Sequence, residues 1–169
     1  MSFGGSKVTC ENVWVLANGG NSTPSRDYLK RVLEVETMER FIAQDRYARH
    51  IGAEILRRSE GYAKAKLELN EYYLNSVNTA HGGVLFSLAD SVFSVASNSQ
   101  GRMAVVIQVC ISYFKAISGG ILFAEAREIS RNPKLATYLI EVTDGTGSLL
   151  ALFQGTVYRK SAGFKDALG

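Results

Sequence analysis

His81-Gly82-Gly83-Val84-Leu85-Phe86-Ser87-Leu88-Ala89-Asp90-Ser91-Val92-Phe93-Ser94-Val95-Ala96 is the stretch on which the fold of this chain turns. Leu85, Leu88, Ala89, Val92 and Ala96 recur at helical spacing and make one wide apolar face. Gly83, Ser87, Asp90, Ser94 and Ser97 make a second stripe, narrow, small and polar. Asn98 and Gly101 supply a stop, so the pattern predicts one helix over about 81–100. Asp90 is its only charged residue, and a helix so poor in charge belongs inside a fold.

The flanking sequence reads as the sheet that wraps this helix. Over 62–70 Ala63, Ala65, Leu67 and Leu69 face one way, and Lys64, Lys66, Glu68 and Asn70 the other. Four more strands are predicted at 103–116, 121–130, 135–143 and 149–158. Ser118-Gly119-Gly120, Asn132-Pro133 and Asp144-Gly145-Thr146-Gly147 separate them. Short links join antiparallel neighbours, because a parallel crossover takes a dozen residues or more. The expectation is an antiparallel meander of these four strands, preceded by one or two more from 53–69. Upstream, Leu29, Val32, Leu33, Met38, Phe41, Ile42 and Tyr47 predict a helix over about 25–51, with Ser25 as cap and Gly52 as stop. The fold class is α+β: a curved antiparallel sheet of five to six strands around one long central helix, with an N-terminal helix. Residues 1–35 read as an extension without an assigned role, 36–162 as the domain and 163–169 as a tail.

Composition limits the function. The chain of 169 residues, 46% hydrophobic and 21% charged, has room for one ordinary domain. A net charge of +3 does not announce a nucleic-acid binder. Cys10 and Cys110 form no CxxC, and two histidines, His50 and His81, leave no Cys/His zinc set, so neither a metal nor a redox cofactor is expected. No run of about 18 apolar residues is present, and the N-terminus lacks a signal-peptide core. The expectation is a cytoplasmic protein with reduced thiols and no membrane partner.

Two features carry chemistry. Burying the Asp90 carboxylate is costly unless it is paired. Either Ser87, Ser94 or a neighbouring strand satisfies it, or it faces a cleft in a perturbed environment that suits catalysis. At His81-Gly82-Gly83 the first helical amides lack intrahelical acceptors, and glycine admits a ligand close to the backbone. The glycines either serve packing in a tight turn or form an oxyanion hole for acyl transfer. Gly82 and Asp90 are eight residues apart, about 12 Å along one helix, so they cannot both touch one carbonyl. If they cooperate, Asp90 meets the glycine of a second copy across antiparallel helices, which implies a dimer.

The run 75–90, from Asn75 through His81-Gly82-Gly83 to Asp90, resembles the signature of hotdog-fold acyl-CoA thioesterases, and within them the phenylacetyl-CoA (PaaI-type) group. The segment from Met38 to Gly52, Gly61-Tyr62-Ala63 and Ala96-Ser97-Asn98-Ser99-Gln100-Gly101 are similar to that group too. The likeness spans about residues 37–160. It implies a hotdog dimer, or a dimer of dimers, hydrolysing a thioester of coenzyme A, with coenzyme A entering as substrate. Carried across, the Gly82 amide polarises the carbonyl and Asp90 is the nucleophile or the general base. Asn75 holds the water or the carboxylate, and His81 orders the loop. Gly83, Val106, Ile107 and Gln108 fall among the substrate-facing positions. Relatives carry a Ser or Thr near Val106 or Ile107; here either Gln108 substitutes for that hydroxyl or the contact is absent.

Arg131, Lys134, Arg159 and Lys160 suit coenzyme A phosphates at the rim, or simply solvate the surface. Phe86, Phe93, Tyr113 and Phe114 read equally as core or as acyl pocket. A hydratase or dehydratase of the same fold and a non-catalytic acyl-CoA sensor are the rival functions.

Overall fold

The computed structural model describes residues 25–163. The extension before residue 25 and the tail after 163 lie outside the described residues. Two compact units are distinguished, the first ending at Glu39 and the second running from Arg40. In the first, helix α1 (Arg26–Gln44) begins where the sequence places it. The Ser25 hydroxyl accepts the Tyr28 amide at 3.2 Å, a side-chain cap.

In the second unit the predicted single helix over 25–51 is broken. Asp45 interrupts it and caps a short helix α2 (Arg46–His50), its Oδ1 accepting the Ala48 amide at 2.8 Å. The apolar spacing runs through the break, so periodicity alone does not register it. Gly52 ends the segment at φ +66°, the left-handed conformation in which glycine escapes the Cβ penalty.

Strands β1 (Glu54–Ser59), β2 (Tyr62–Leu69), β3 (Arg102–Tyr113), β4 (Gly120–Arg131), β5 (Leu135–Asp144) and β6 (Leu149–Gly163) form one antiparallel sheet in the order β1-β2-β4-β5-β6-β3. Helix α3 (Gly82–Asn98) touches all six strands, so the sheet must curve around it. Leu85, Leu88, Ala89, Val92, Phe93 and Ala96 are buried against the sheet, as the apolar face requires. Alanines 63, 65, 124, 126, 136 and 151 line the inner face and let the helix lie close. The Phe93 ring packs 5.4 Å from Tyr138 and 5.7 Å from Phe153. Gly155 makes room for it, since a Cβ there would stand 2.5 Å from the ring.

The four-strand meander is corrected. Only β4, β5 and β6 follow one another; β3 pairs with β6 at the far edge, and β4 pairs with β2. The link of residues 114–119 has the reach for this. Extended, six residues span about 20 Å, whereas three strand spacings take about 14 Å. A short link therefore restricts partner choice less than hairpin logic suggests. No described helix is long and apolar enough to cross a membrane.

Candidate active site

The turn leading into α3 is built from local hydrogen bonds. Asn75 closes it: its Oδ1 accepts the Val77 and Thr79 amides at 3.0 and 3.2 Å, and its Nδ2 donates to the Thr79 hydroxyl at 3.0 Å. Thus much of the Asn75 side chain is spent on the turn, and one Nδ2 proton is left over. The His81 amide donates to Tyr73 O at 2.8 Å, and its Nδ1 accepts the Gly83 amide at 3.0 Å. His81 is the cap of α3 and orders the turn, as the family resemblance implies.

This corrects the expectation that both glycine amides stand free. The Gly83 amide is capped, whereas among the described residues no acceptor meets the Gly82 amide. Beside Gly82 opens a cleft of about 340 Å³ lined by Leu85, Tyr113, Phe114, Lys115 and Ile117, among others. The Tyr113 hydroxyl donates to Gly82 O at 3.0 Å. Ala80 donates its amide to Ile117 O at 2.7 Å, so the segment after β3 grips the same turn.

Asp90 lies two turns further along α3, half-buried on the polar stripe. Neither serine proposed as its partner reaches it. Ser87 pairs its hydroxyl with Tyr47, and no hydrogen bond joins Ser94 to Asp90. Burial first, then the nearby charge of Asp45, pushes the Asp90 carboxyl above its ordinary value. An ionised, poorly solvated carboxylate without an internal donor is a reactive base.

Elsewhere the expected site disperses. Ile107 is the extra residue of a β-bulge between Val106, opposite Val157, and Gln108, opposite Thr156. All three are exposed on the edge strand β3. Arg131 and Lys134 lie beyond the other end of α3, whose length from Gly82 is about 24 Å. Arg131 is paired with Glu128 at 3.1 Å and donates to Gln100. The Lys134 amide is taken up by Asn132 Oδ1 in the turn before β5. Of the aromatic candidates Phe93 is core, and Tyr113 and Phe114 line the cleft. Tyr113, Asp45 and the Tyr47–Ser87 pair are the contributors that no local pattern could reveal, since each acts across dozens of residues. Among the described residues no group of His, Cys, Asp and Glu is arranged to hold a metal ion.

An antiparallel sheet wrapped around one helix, opened by glycines at the helix N-terminus, defines the hotdog class. A model of the thioesterase superfamily matches residues 77–151. An Archaeoglobus fulgidus protein provisionally named as an esterase is 47% identical over 68% of this chain and 75% of its own. The Escherichia coli acyl-coenzyme A thioesterase PaaI is 34% identical over 68% of this chain and 83% of its own. The solved E. coli PaaI protein superposes with a TM-score of 0.73 at 30% identity, covering 77% of this chain and 95% of that one. The chain belongs to the hotdog thioesterase superfamily and to its PaaI-like group, which places it among the thioester hydrolases.

Proposed function

We propose that the chain hydrolyses an acyl-CoA thioester to the free acid and coenzyme A, at sites shared between two copies. The observation that carries this is the Asp90 carboxylate, raised in pKa and without a partner, on the same helix as the free Gly82 amide. The two lie about 12 Å apart along α3, so one protomer cannot apply both to one carbonyl. An antiparallel second α3, packed on the small stripe, brings Asp90 of one copy to Gly82 of the other.

In that arrangement the Gly82 amide and the helix dipole stabilise the developing oxyanion. Asp90 attacks the carbonyl carbon or takes the proton from the attacking water. The remaining Asn75 Nδ2 proton orients that water or carboxylate, and His81 holds the turn. A thiolate of pKa about 8.5 leaves without a dedicated acid, so this small inventory suffices. The cleft beside Gly82 supplies apolar walls for one arm of the substrate. Arg131 and Lys134 are assigned to coenzyme A phosphates.

Release of free thiol from aromatic, medium-chain and long-chain acyl-CoA tests the proposal. Turnover on one class, reduced about 100-fold or more in Asp90→Asn, is the expected result. Tight binding without turnover, unchanged in the variant, would leave a sensor instead.

A further inference from the structure

Tyr113 ends β3, thirty-one residues from Gly82, yet it touches that glycine in two ways. Its hydroxyl donates to Gly82 O at 3.0 Å. Its ring lies so close that a Cβ at position 82 would stand 3.2 Å from Cζ and 3.4 Å from Cε1. The glycine thus rests on the ring, with its carbonyl held by the same side chain. At the other flank of the turn, the Ala80 amide is held by Ile117 O at 2.7 Å. Residues 113–117 therefore clasp residues 80–82 from both sides, and the cleft lies between them.

We propose that Tyr113 is a positioning residue for the Gly82 amide, fixing by its hydroxyl and ring the donor that meets the thioester carbonyl. This rests on the thioesterase function proposed above. A first helical turn is the part most free to fray, because its amides have no intrahelical partners. An oxyanion donor is effective only when it is held before the charge develops. His81 Nδ1 anchors Gly83, but among the described residues no bond other than that from Tyr113 is directed to the Gly82 peptide from outside the helix. The phenol is suited to the task, since burial raises its pKa above the ordinary value and it stays a donor at any working pH.

The test compares steady-state kinetics of the wild type and Tyr113→Phe on whichever acyl-CoA the wild type turns over. Loss of the hydroxyl alone is expected to lower kcat about tenfold, with KM and Tm within their wild-type range. A second comparison sets Gly82→Ala against Gly82→Ala/Tyr113→Leu. Removing the ring is expected to restore at least tenfold of the activity lost to the added methyl. An active wild type with Tyr113→Phe equal to it in kcat would overturn the assignment and leave the thioesterase function standing. So would a kcat loss matched by a fall in Tm, or a double variant no better than Gly82→Ala. A wild type inert on every thioester would instead remove the function on which the assignment rests.

Discussion

The Tyr47 hydroxyl and the Ser87 hydroxyl share a hydrogen bond of 2.9 Å, one helical turn before Asp90. It fastens the short helix α2 to the polar stripe of α3, and Asp45, the cap of α2, comes with it. The negative charge that perturbs Asp90 is thus delivered by an element whose own position depends on that stripe.

Removing the charge at position 45 moves the acid limb of the rate profile. Asp45 raises the Asp90 pKa, so Asp45→Asn lowers it, and Asp90 stays ionised to lower pH. The amide preserves the acceptor for the Ala48 amide, so α2 is retained. A kcat profile whose acid limb lies at lower pH than that of the wild type is the expected outcome.

Asp90→Asn separates activity from stability. A carboxyl whose folded pKa exceeds its unfolded value binds protons more tightly in the fold, so its ionised form destabilises at neutral pH. The variant is expected to gain about 1 kcal/mol, roughly 3 °C in Tm, near pH 7 while losing turnover. Below the unfolded carboxylate pKa, where both states are protonated, the difference in stability vanishes. Thermal melts at both pH values check the sign.

Gly155→Ala drives a methyl into the Phe93 ring, which is fully buried between Tyr138 and Phe153 and has no space to retreat. Overpacking of this kind costs about 1–3 kcal/mol, and Phe93→Leu in the same chain is expected to recover part of it. Urea denaturation of the single and double variants measures the coupling.

Arg131→Ala and Lys134→Ala distinguish phosphate recognition from surface solvation. If these side chains meet coenzyme A phosphates, KM rises for the acyl-CoA and stays constant for the acyl-pantetheine analogue, with kcat unchanged. Because Arg131 is also tied to Glu128 and Gln100, its variant is read beside a melting curve. Equal KM changes on both substrates would assign Arg131 to the fold.

What could be read from the chain beforehand follows range of interaction. The two stripes of α3, the alternation of β2 and the stops at Gly52 and Gly101 are local periodicities, and the structure keeps them. The place of β3 was illegible, because the length of the 114–119 link permits the far edge as well as the near one. The helix break was hidden because Asp45 acts through a cap rather than through spacing. Within the site, His81, Gly82 and Asp90 were visible as a motif. The engagement of Asn75 by its own turn and the clasp from Tyr113 are hydrogen bonds that no spacing encodes.

The 114–119 link has to cross to the far side of the sheet, and on the way it supplies both the wall of the cleft and the grip on the turn at residues 80–82. Substrate preference and mechanical integrity are therefore written in the same few residues. Lineages of this architecture that change acyl preference through the link face a stability toll at each step. Repacking from Leu85 on the opposite wall offers a way to alter the cleft while leaving the crossing intact.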